Sequence, residues 1–526
     1  MISKNHICDI TMATLRDKYI WILLIVSLLV RVYLSFFTYL ISNDSAVFMR
    51  NAKYFANGDF LNGLRHAYHP LYSFIMAGLY KVVPNMELSG TIVSVFFGTL
   101  TVIVFYLIGK SIFDQKISFV SSIILAFHPY AVRFSADIIS ESTYFFFFIS
   151  ALGLGFFAIT KKKLSLFALT GICSALAYLT RPEGIGIIII VASWCVLKDC
   201  VNIKVLWKEK LVSILVLVVS FFVFSMPYLV CIKEETGNWR LTKKKTLTTM
   251  AGAGGVSIDQ DNESLAEEVG DKFNKHISSI LHIVRKYISS FHPFLFVFFI
   301  FGVINWSRVR KKQLFGYYII TVIAFYLFIL YRLSITYMSG DDNVLMYPSR
   351  RHLMPLVISA IFCVGIGVHT TGTWVYEKFQ SSSLIVGFKE LLKSTWIMQL
   401  IVLTIVISVL LPKTLKPQRF DKLGIKEVGQ WIKENSNKPY PAILSVSARN
   451  AYYAKGRHIQ MGSINDALSV ASTEKVDYIF ISHREYKALE EELLQSINDK
   501  QIILVYKHPE ENSLNKHKIF LYKVIY

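Results

Sequence analysis

Eleven long apolar runs, near residues 19–41, 88–109, 117–134, 138–159, 164–180, 184–198, 211–231, 290–306, 314–332, 352–370 and 396–412, fill most of the chain up to residue 412. An α-helix needs about 20 apolar residues to cross the hydrocarbon of a bilayer. The runs therefore predict an all-α polytopic membrane protein. Hydrophobic residues make up 53% of the chain and aromatics 14%, with a mean hydropathy of +0.46. A soluble core of this size could not hide so much apolar surface. A further apolar stretch, 71–83, suits a helix lying in the membrane interface. The first run is too long for the apolar core of a cleavable signal peptide, and no small-residue cleavage site follows it.

The formal charge of +20 would suggest nucleic acid in a soluble protein. In a membrane protein it reflects basic cytoplasmic loops, and no nucleic-acid partner is expected. With the N-terminus in the cytoplasm, alternate loops hold Lys110 and Lys116; Lys161 to Lys163; Lys198 to Lys210; Arg308 to Lys312; and Lys378 to Lys393. These loops are short and poor in acids, which is the positive-inside pattern. The odd number of runs then places the C-terminal part outside. The other loops, 42–87, 232–289 and 333–351 with the turns at 128–130 and 181–184, carry almost every unusual polar residue. Charge bias and polar clustering thus select the same outer face for a site.

After Pro412 and Pro417 the composition changes. Helical stretches (425–434, 485–497) alternate with strand-like runs (442–446, 478–482, 502–506, 519–524). A membrane domain over 1–412 and a small extracytoplasmic α/β domain over 413–526 are expected. The six cysteines form no CxxC and give no disulfide framework or zinc site. The glycines of AGAGG, 251–255, lack the GK[ST] of a nucleotide loop.

The stretch Ser42–Tyr72 (SNDSAVFMRNAKYFANGDFLNGLRHAYHPLY) is the first candidate for chemistry. A membrane hairpin closes in a few residues, and a long loop rich in Tyr, Phe and Leu is neither a short turn nor disordered. Asp44, directly after the first run, could accept a proton from an attacking hydroxyl, or could cap a helix. His69-Pro70 and His128-Pro129 each suit the start of a helix; their imidazoles, with Arg65, could also support an acceptor or a phosphate. Asp137 and Glu141 are four apart, so they are expected to share a helix face, with Arg133 as a candidate partner. In Arg181-Pro182-Glu183-Gly184 the arginine could lock the turn onto Glu183 or hold a phosphate. Arg350-Arg351-His352 runs against the positive-inside bias and points to an anion site.

These residues, in this order, resemble the polyprenyl-phosphate-sugar-dependent glycosyltransferases of GT-C fold, in particular the bacterial branch of the protein O-mannosyltransferase and aminoarabinose-transferase superfamily (glycosyltransferase family 39-like). The resemblance rests on Asp44, the Asn57–Phe60 turn, His69–Tyr72, Leu179–Gly184, and Arg351-His352-Leu353-Met354-Pro355. In the last of these, histidine stands where the family has tyrosine. The resemblance covers roughly residues 15–410. It implies a bundle of spans under an outer-face cavity, a sugar donor carried on a polyprenyl phosphate, and transfer with inversion. It assigns Asp44 as base, Arg181 and Arg351 as holders of the departing phosphate with Arg350, His352 and His69 beside them, and no metal or other cofactor. The partners it implies are the lipid-linked donor, membrane lipids, and a protein, lipid or glycan acceptor, in a bacterial inner membrane. A lipid-linked glycan polymerase or ligase, or a flippase, is the alternative.

Overall fold

The computed structural model describes residues 16–197, 207–243, 265–306, 313–338, 348–381 and 394–461, and, of the rest, 470–471, 473–482, 497, 501–509 and 518–525. Its helices in chain order are α1 (Lys18–Phe36), α2 (Asn43–Ala56), α3 (Phe60–Leu64), α4 (Leu71–Tyr80), α5 (Met86–Ile112), α6 (Gln115–Ala126), α7 (Pro129–Ser135), α8 (Glu141–Lys161), α9 (Leu164–Thr180), α10 (Gly186–Leu197), α11 (Trp207–Thr236), α12 (Leu265–Phe291), α13 (Pro293–Ile304), α14 (Gln313–Met338), α15 (Arg350–Ser381), α16 (Thr395–Thr414), α17 (Gly424–Asn435) and α18 (Ala448–Tyr453). A 3-10 turn, Pro182–Ile185, leads into α10.

Each of the eleven expected runs is mainly helical, though the first leaves its helix at Phe36 and is extended through Ile41. Seven of the helices (α1, α5, α8, α11, α14, α15, α16) are long and apolar enough to cross a membrane, and nine if two bent pairs each form one span. The bent pairs are α6–α7, at 59°, and α12–α13, at 97°, and both bends end in a His-Pro dipeptide. Proline cannot donate into the preceding turn, so carbonyls are left over at the break. At the first bend Arg31, buried in α1, donates to Ala126 O (3.4 Å), and Thr414 donates to Phe127 O (2.7 Å). Membrane depth tolerates a break only where such groups are satisfied inside the protein. The runs 164–180 and 184–198 appear as the shorter apolar helices α9 and Pro182–Leu197. The stretch 71–80 is a separate short apolar helix, α4.

One apolar core runs through α5, α6, α8–α11 and α13–α16. A second, smaller cluster joins α2 and α4 to the start of α5. It forms because α2 turns Phe48, Met49, Ala52 and Phe55 to one side, where Tyr72, Met76 and Ala77 of α4 meet them.

Beyond α16 the chain forms a five-stranded mixed sheet: β1 (Ala442–Ser445), β2 (Arg457–Gln460), β3 (Tyr478–Ser482), β4 (Ile502–His508) and β5 (Ile519–Val524), in the order β2-β1-β3-β5-β4. Strands β2 and β3 lie parallel to β1; β5 is antiparallel to β3 and β4 to β5. Four of these strands stand where the sequence places them, and α17 covers the expected 425–434 helix. Strand β2 and α18 were not expected. The helix expected over 485–497 lies outside the described residues save Ile497, as do AGAGG and residues 339–347.

The sheet unit is tied to the extended segment between α1 and α2. Gln418 donates its backbone N–H to Phe37 O (2.9 Å) and accepts from Tyr39 N (3.2 Å). The Ile41 N–H donates to the Tyr453 hydroxyl (3.0 Å), and Arg449 donates to Ile41 O (3.3 Å). Leu40 is buried among Ile425, Val428, Ile432 and Leu521.

Candidate active site

Helix α2 begins with a capping box: the Ser42 hydroxyl accepts from Ser45 N, and the Ser45 hydroxyl accepts from Ser42 N. This fixes the first turn, which carries Asp44. A carboxylate there is favoured by the helix dipole. Tyr68 donates its hydroxyl to Asp44 Oδ1 at 2.6 Å, and Arg351, in the first turn of α15, donates to Asp44 Oδ2. The Tyr68 ring stacks on Phe48, one turn along α2, with centroids 5.0 Å apart. Burial pushes the Asp44 carboxyl up, but the Arg351 charge, the Tyr68 hydroxyl and the more distant Arg181 outweigh it and leave its pKa below the ordinary value. Burial, then the charge of Asp44, push the Tyr68 phenol well up, so it stays a donor.

Behind this pair lies a second one. Arg181 Nη1 is 2.8 Å from Glu141 Oε1 in the first turn of α8, and its other edge grips Glu183 at 3.2 Å and 3.4 Å. Arg351 Nη1 also approaches Glu141, at 3.5 Å. The turn that carries Arg181 and Glu183 is held by Tyr326, whose hydroxyl donates to Glu183 O at 2.7 Å. Gly184 is required in it, because a Cβ there would collide with the backbone of Ala177 and Tyr178.

Two cavities meet at these arginines. A small one, about 40 Å³, is bounded by Asp44, Tyr68, His69, Glu141, Arg181, Arg351 and His352. A longer one, about 300 Å³, shares Arg181, Pro182, Arg351 and His352 with it and continues between apolar side chains: Ile185, Ile189, Phe325, Ile329, Leu330, Leu333 and Leu356. Trp239 to Thr242, just beyond α11, form another part of its wall. Sequence reasoning missed Tyr68, Tyr326 and this segment. The signal for Tyr68 was its place two residues after His66 in the loop already singled out. For Arg240 it was a cation beside a tryptophan directly after a span. The buried Arg240 Nε has no hydrogen-bond partner among the described residues.

The structure brings together Asp44, His69, Glu141, Arg181, Glu183, Arg351 and His352. His69 is buried against the rings of Tyr178 and Tyr228, at 5.0 and 5.1 Å, with Nε2 3.4 Å from the Thr242 hydroxyl. His352 Nδ1 accepts from Ser349 N at 3.2 Å. Other expected residues stand apart. Arg350 lies over the Tyr130 ring, 5.1 Å from its centroid, and lines neither cavity. Arg65 is exposed at the end of α3. His128 is the N-cap of α7, accepting from Ala131 N at 3.4 Å.

Asp137 and Glu141 do not share a helix face, because α8 begins only at Glu141. Nor does Arg133 form an ion pair with either: Asp137 pairs with Arg419, and Glu141 with Arg181 and Arg351. The expectation failed because the nearest cation in sequence was preferred over one that arrives from the far end of the chain.

The arrangement is a half-buried carboxylate, Asp44, beside two guanidiniums that open onto an apolar groove. The backbone traces the same path as ArnT from Cupriavidus metallidurans bound to undecaprenyl phosphate, at a TM-score of 0.57 and 11% identity over 96% of this chain and 98% of that one. It is the GT-C fold. An oligosaccharyltransferase from Archaeoglobus fulgidus is also similar, at a TM-score of 0.52 and 12% identity over 89% of this chain and 70% of that one. So is AglB from the same organism, in complex with an inhibitory peptide and a dolichol-phosphate, at 0.52 and 12% over 88% and 69%. In sequence, residues 65–229 match the family described as dolichyl-phosphate-mannose-protein mannosyltransferase. No curated protein matches the chain by sequence comparison. The segment matched by the family carries four of the seven clustered residues, His69, Glu141, Arg181 and Glu183, while Asp44, Arg351 and His352 come to the site from outside it.

Proposed function

We propose that the chain is a glycosyltransferase that moves a sugar from a polyprenyl-phosphate carrier to an acceptor hydroxyl, with inversion and with Asp44 as base. The observation that carries this reading is the shared wall: Arg181 and Arg351 close the carboxylate cavity on one side and the end of an apolar groove on the other. A lipid tail in the groove would bring its phosphate to the arginines and the first sugar to Asp44.

Three carboxylates (Asp44, Glu141, Glu183) face two guanidiniums (Arg181, Arg351) here. An arriving phosphate adds negative charge, so Arg351 exchanges its bond to Asp44 for one to the phosphate, and Arg240 supplies a further cation from the groove wall. Asp44, still held by Tyr68, is then free to take the acceptor proton. The acceptor oxygen bonds to the anomeric carbon as the carbon–oxygen bond to the phosphate breaks. The electron pair leaves with the phosphate, where cations fixed in advance stabilise the charge that develops. His69 and His352 border the small cavity and position the groups within it.

The Asp44 end of α5 and α8 lies opposite their Lys110 and Lys161 ends. This supports a site on the outer face of a bacterial inner membrane, with the N-terminus in the cytoplasm and residues 413–526 as an outer domain. The test is a donor screen. Protein in nanodiscs is given a panel of polyprenyl-phosphate sugars, and free polyprenyl phosphate is followed by mass spectrometry. Release with one sugar, lost in Asp44→Asn and Arg351→Ala, is expected. No release with any donor, or full release by Asp44→Asn, overturns the reading.

A further inference from the structure

Helix α2 has two working sides. Asp44 and Phe48 face the small cavity, whereas Ala46, Met49, Arg50 and Lys53 face a different one, of about 830 Å³, between α2 and the C-terminal sheet unit. At 3.6 residues per turn, Asp44 and Arg50 are about 120° apart around the helix, and the two cavities have no described lining residue in common. The second cavity therefore cannot be an extension of the first.

Its chemistry is one-sided. Among the described residues five cations line it, Arg50 and Lys53 from α2, Lys433 from α17, Lys455 from the turn before β2 and Arg457 at its start, against a single carboxylate, Glu87. That carboxylate already accepts from the Tyr452 hydroxyl at 2.9 Å. Arg457 reaches Glu474, at 3.6 Å. Arg50, Lys53, Lys433 and Lys455 form no ion pair with any described residue. The positive-inside bias does not account for them, because Glu87 and Lys110 mark opposite ends of α5, about 35 Å apart at 1.5 Å per residue. The groove lies at the end away from the basic connecting loops.

Like charges from three elements converge on one concavity and gain nothing from each other. Between them stand Tyr54, Tyr440, Tyr452 and Tyr453, which offer apolar ring faces and hydroxyls together. Burial, and then the charge of Arg50, hold the His458 imidazole on the same wall below its ordinary pKa, so the histidine adds no charge of its own near neutral pH. The volume lies in the range of pockets that enclose a ligand of several rings, roughly 300–1,000 Å³, which is too large for a lone ion.

We infer that this groove binds an anionic saccharide, an oligosaccharide bearing carboxylates or phosphates, at a site separate from the one that carries Asp44. The preference for a saccharide over other polyanions rests on the glycosyltransferase reading above; the preference for an anion does not. The cations hold the acidic groups, and the tyrosines lie against the sugar rings.

The test is direct binding to the full chain in nanodiscs, by calorimetry, with trigalacturonate and a phosphorylated mannan oligosaccharide as probes. Mannotriose, inorganic phosphate and a hexaglutamate peptide are the controls. At least one acidic saccharide is expected to bind more tightly than every control. Its affinity should fall at least about tenfold in R50Q/K455Q, as expected for losing bonds to charged groups, with an unchanged thermal midpoint, since both positions are exposed. Tyr440→Ala, also at an exposed position, should weaken the saccharide alone. Binding of neither probe, equal binding of mannotriose, phosphate or hexaglutamate, or an undiminished affinity in R50Q/K455Q overturns the inference. The same titration on Asp44→Asn should be unaltered, so loss of transfer and loss of groove binding are read separately.

Discussion

The Asp44 carboxylate and the Arg351 guanidinium are joined by an ion pair that spans 307 residues of sequence. It couples the first turn of α2 to the first turn of α15, and it places the proposed base and one of the proposed phosphate cations in direct contact. Each therefore sets the state of the other until a phosphate intervenes.

The first prediction is a pH profile. Asp44 is held below the ordinary carboxylate value of 3.8, so its ionised form persists as pH falls past that point. Its contribution to stability is present above the unfolded value and is lost only as pH falls through the lowered folded one. The acid limb of kcat/KM should accordingly lie below 3.8 for the wild-type chain. Tyr68→Phe removes one of the groups that lower it. The limb should move up, with a rate loss at pH 7 of roughly tenfold, the size of one hydrogen bond to a charged group. A limb that stays in place in Tyr68→Phe would exclude Asp44 as the titrating base.

The second concerns Arg240, whose buried Nε has no hydrogen-bond partner among the described residues. If it meets the donor phosphate, Arg240→Gln should raise the KM for the lipid donor by about tenfold or more, the range of one lost charge-assisted bond. The KM for acceptor should hold. An unchanged donor KM would leave the phosphate to Arg181 and Arg351 alone.

The third concerns the seating of the sheet unit. Arg419 bonds to Asp137 and to the Leu40 carbonyl. Replacing one partner of such a pair leaves the other carboxylate uncompensated in a nearly dry site, at about 3 kcal/mol. Arg419→Ala should expose the segment around residues 415–420 to limited proteolysis under conditions where the wild-type chain is resistant. Equal resistance would show that the contacts of Leu40, Arg449 and Tyr453 hold the unit without it.

The membrane spans were legible because apolar length is a local property, and the bends because proline marks them. Much of the site was legible for a related reason. Polar residues at span ends gather at one surface, so Asp44, Glu141, Arg181 and Arg351 could be grouped before any of their contacts were known. Pairing was not legible. Asp137 had Arg133 four residues away, yet it binds Arg419, 282 residues on, and no spacing rule reaches that far. Arg350 looked equivalent to Arg351 beside it, but one residue is about 100° of helix, and that turn carries Arg350 onto Tyr130. Strand β2, four residues long with two of them exposed, offers no alternation strong enough to see. The groove it helps to build was hidden with it.

Segment 37–41 and the start of α2 are stitched to 418–419 and to 447–453 by backbone bonds, two arginines, a serine and a tyrosine. The ends of the polypeptide are thus one part in a mechanical sense. A chimera that grafts the tail of a relative onto this membrane bundle would inherit a mismatched seam unless residues 37–56 travel with it. In recombination between such proteins, the unit that can be exchanged intact is α2 together with the C-terminal sheet, although most of the sequence lies between them.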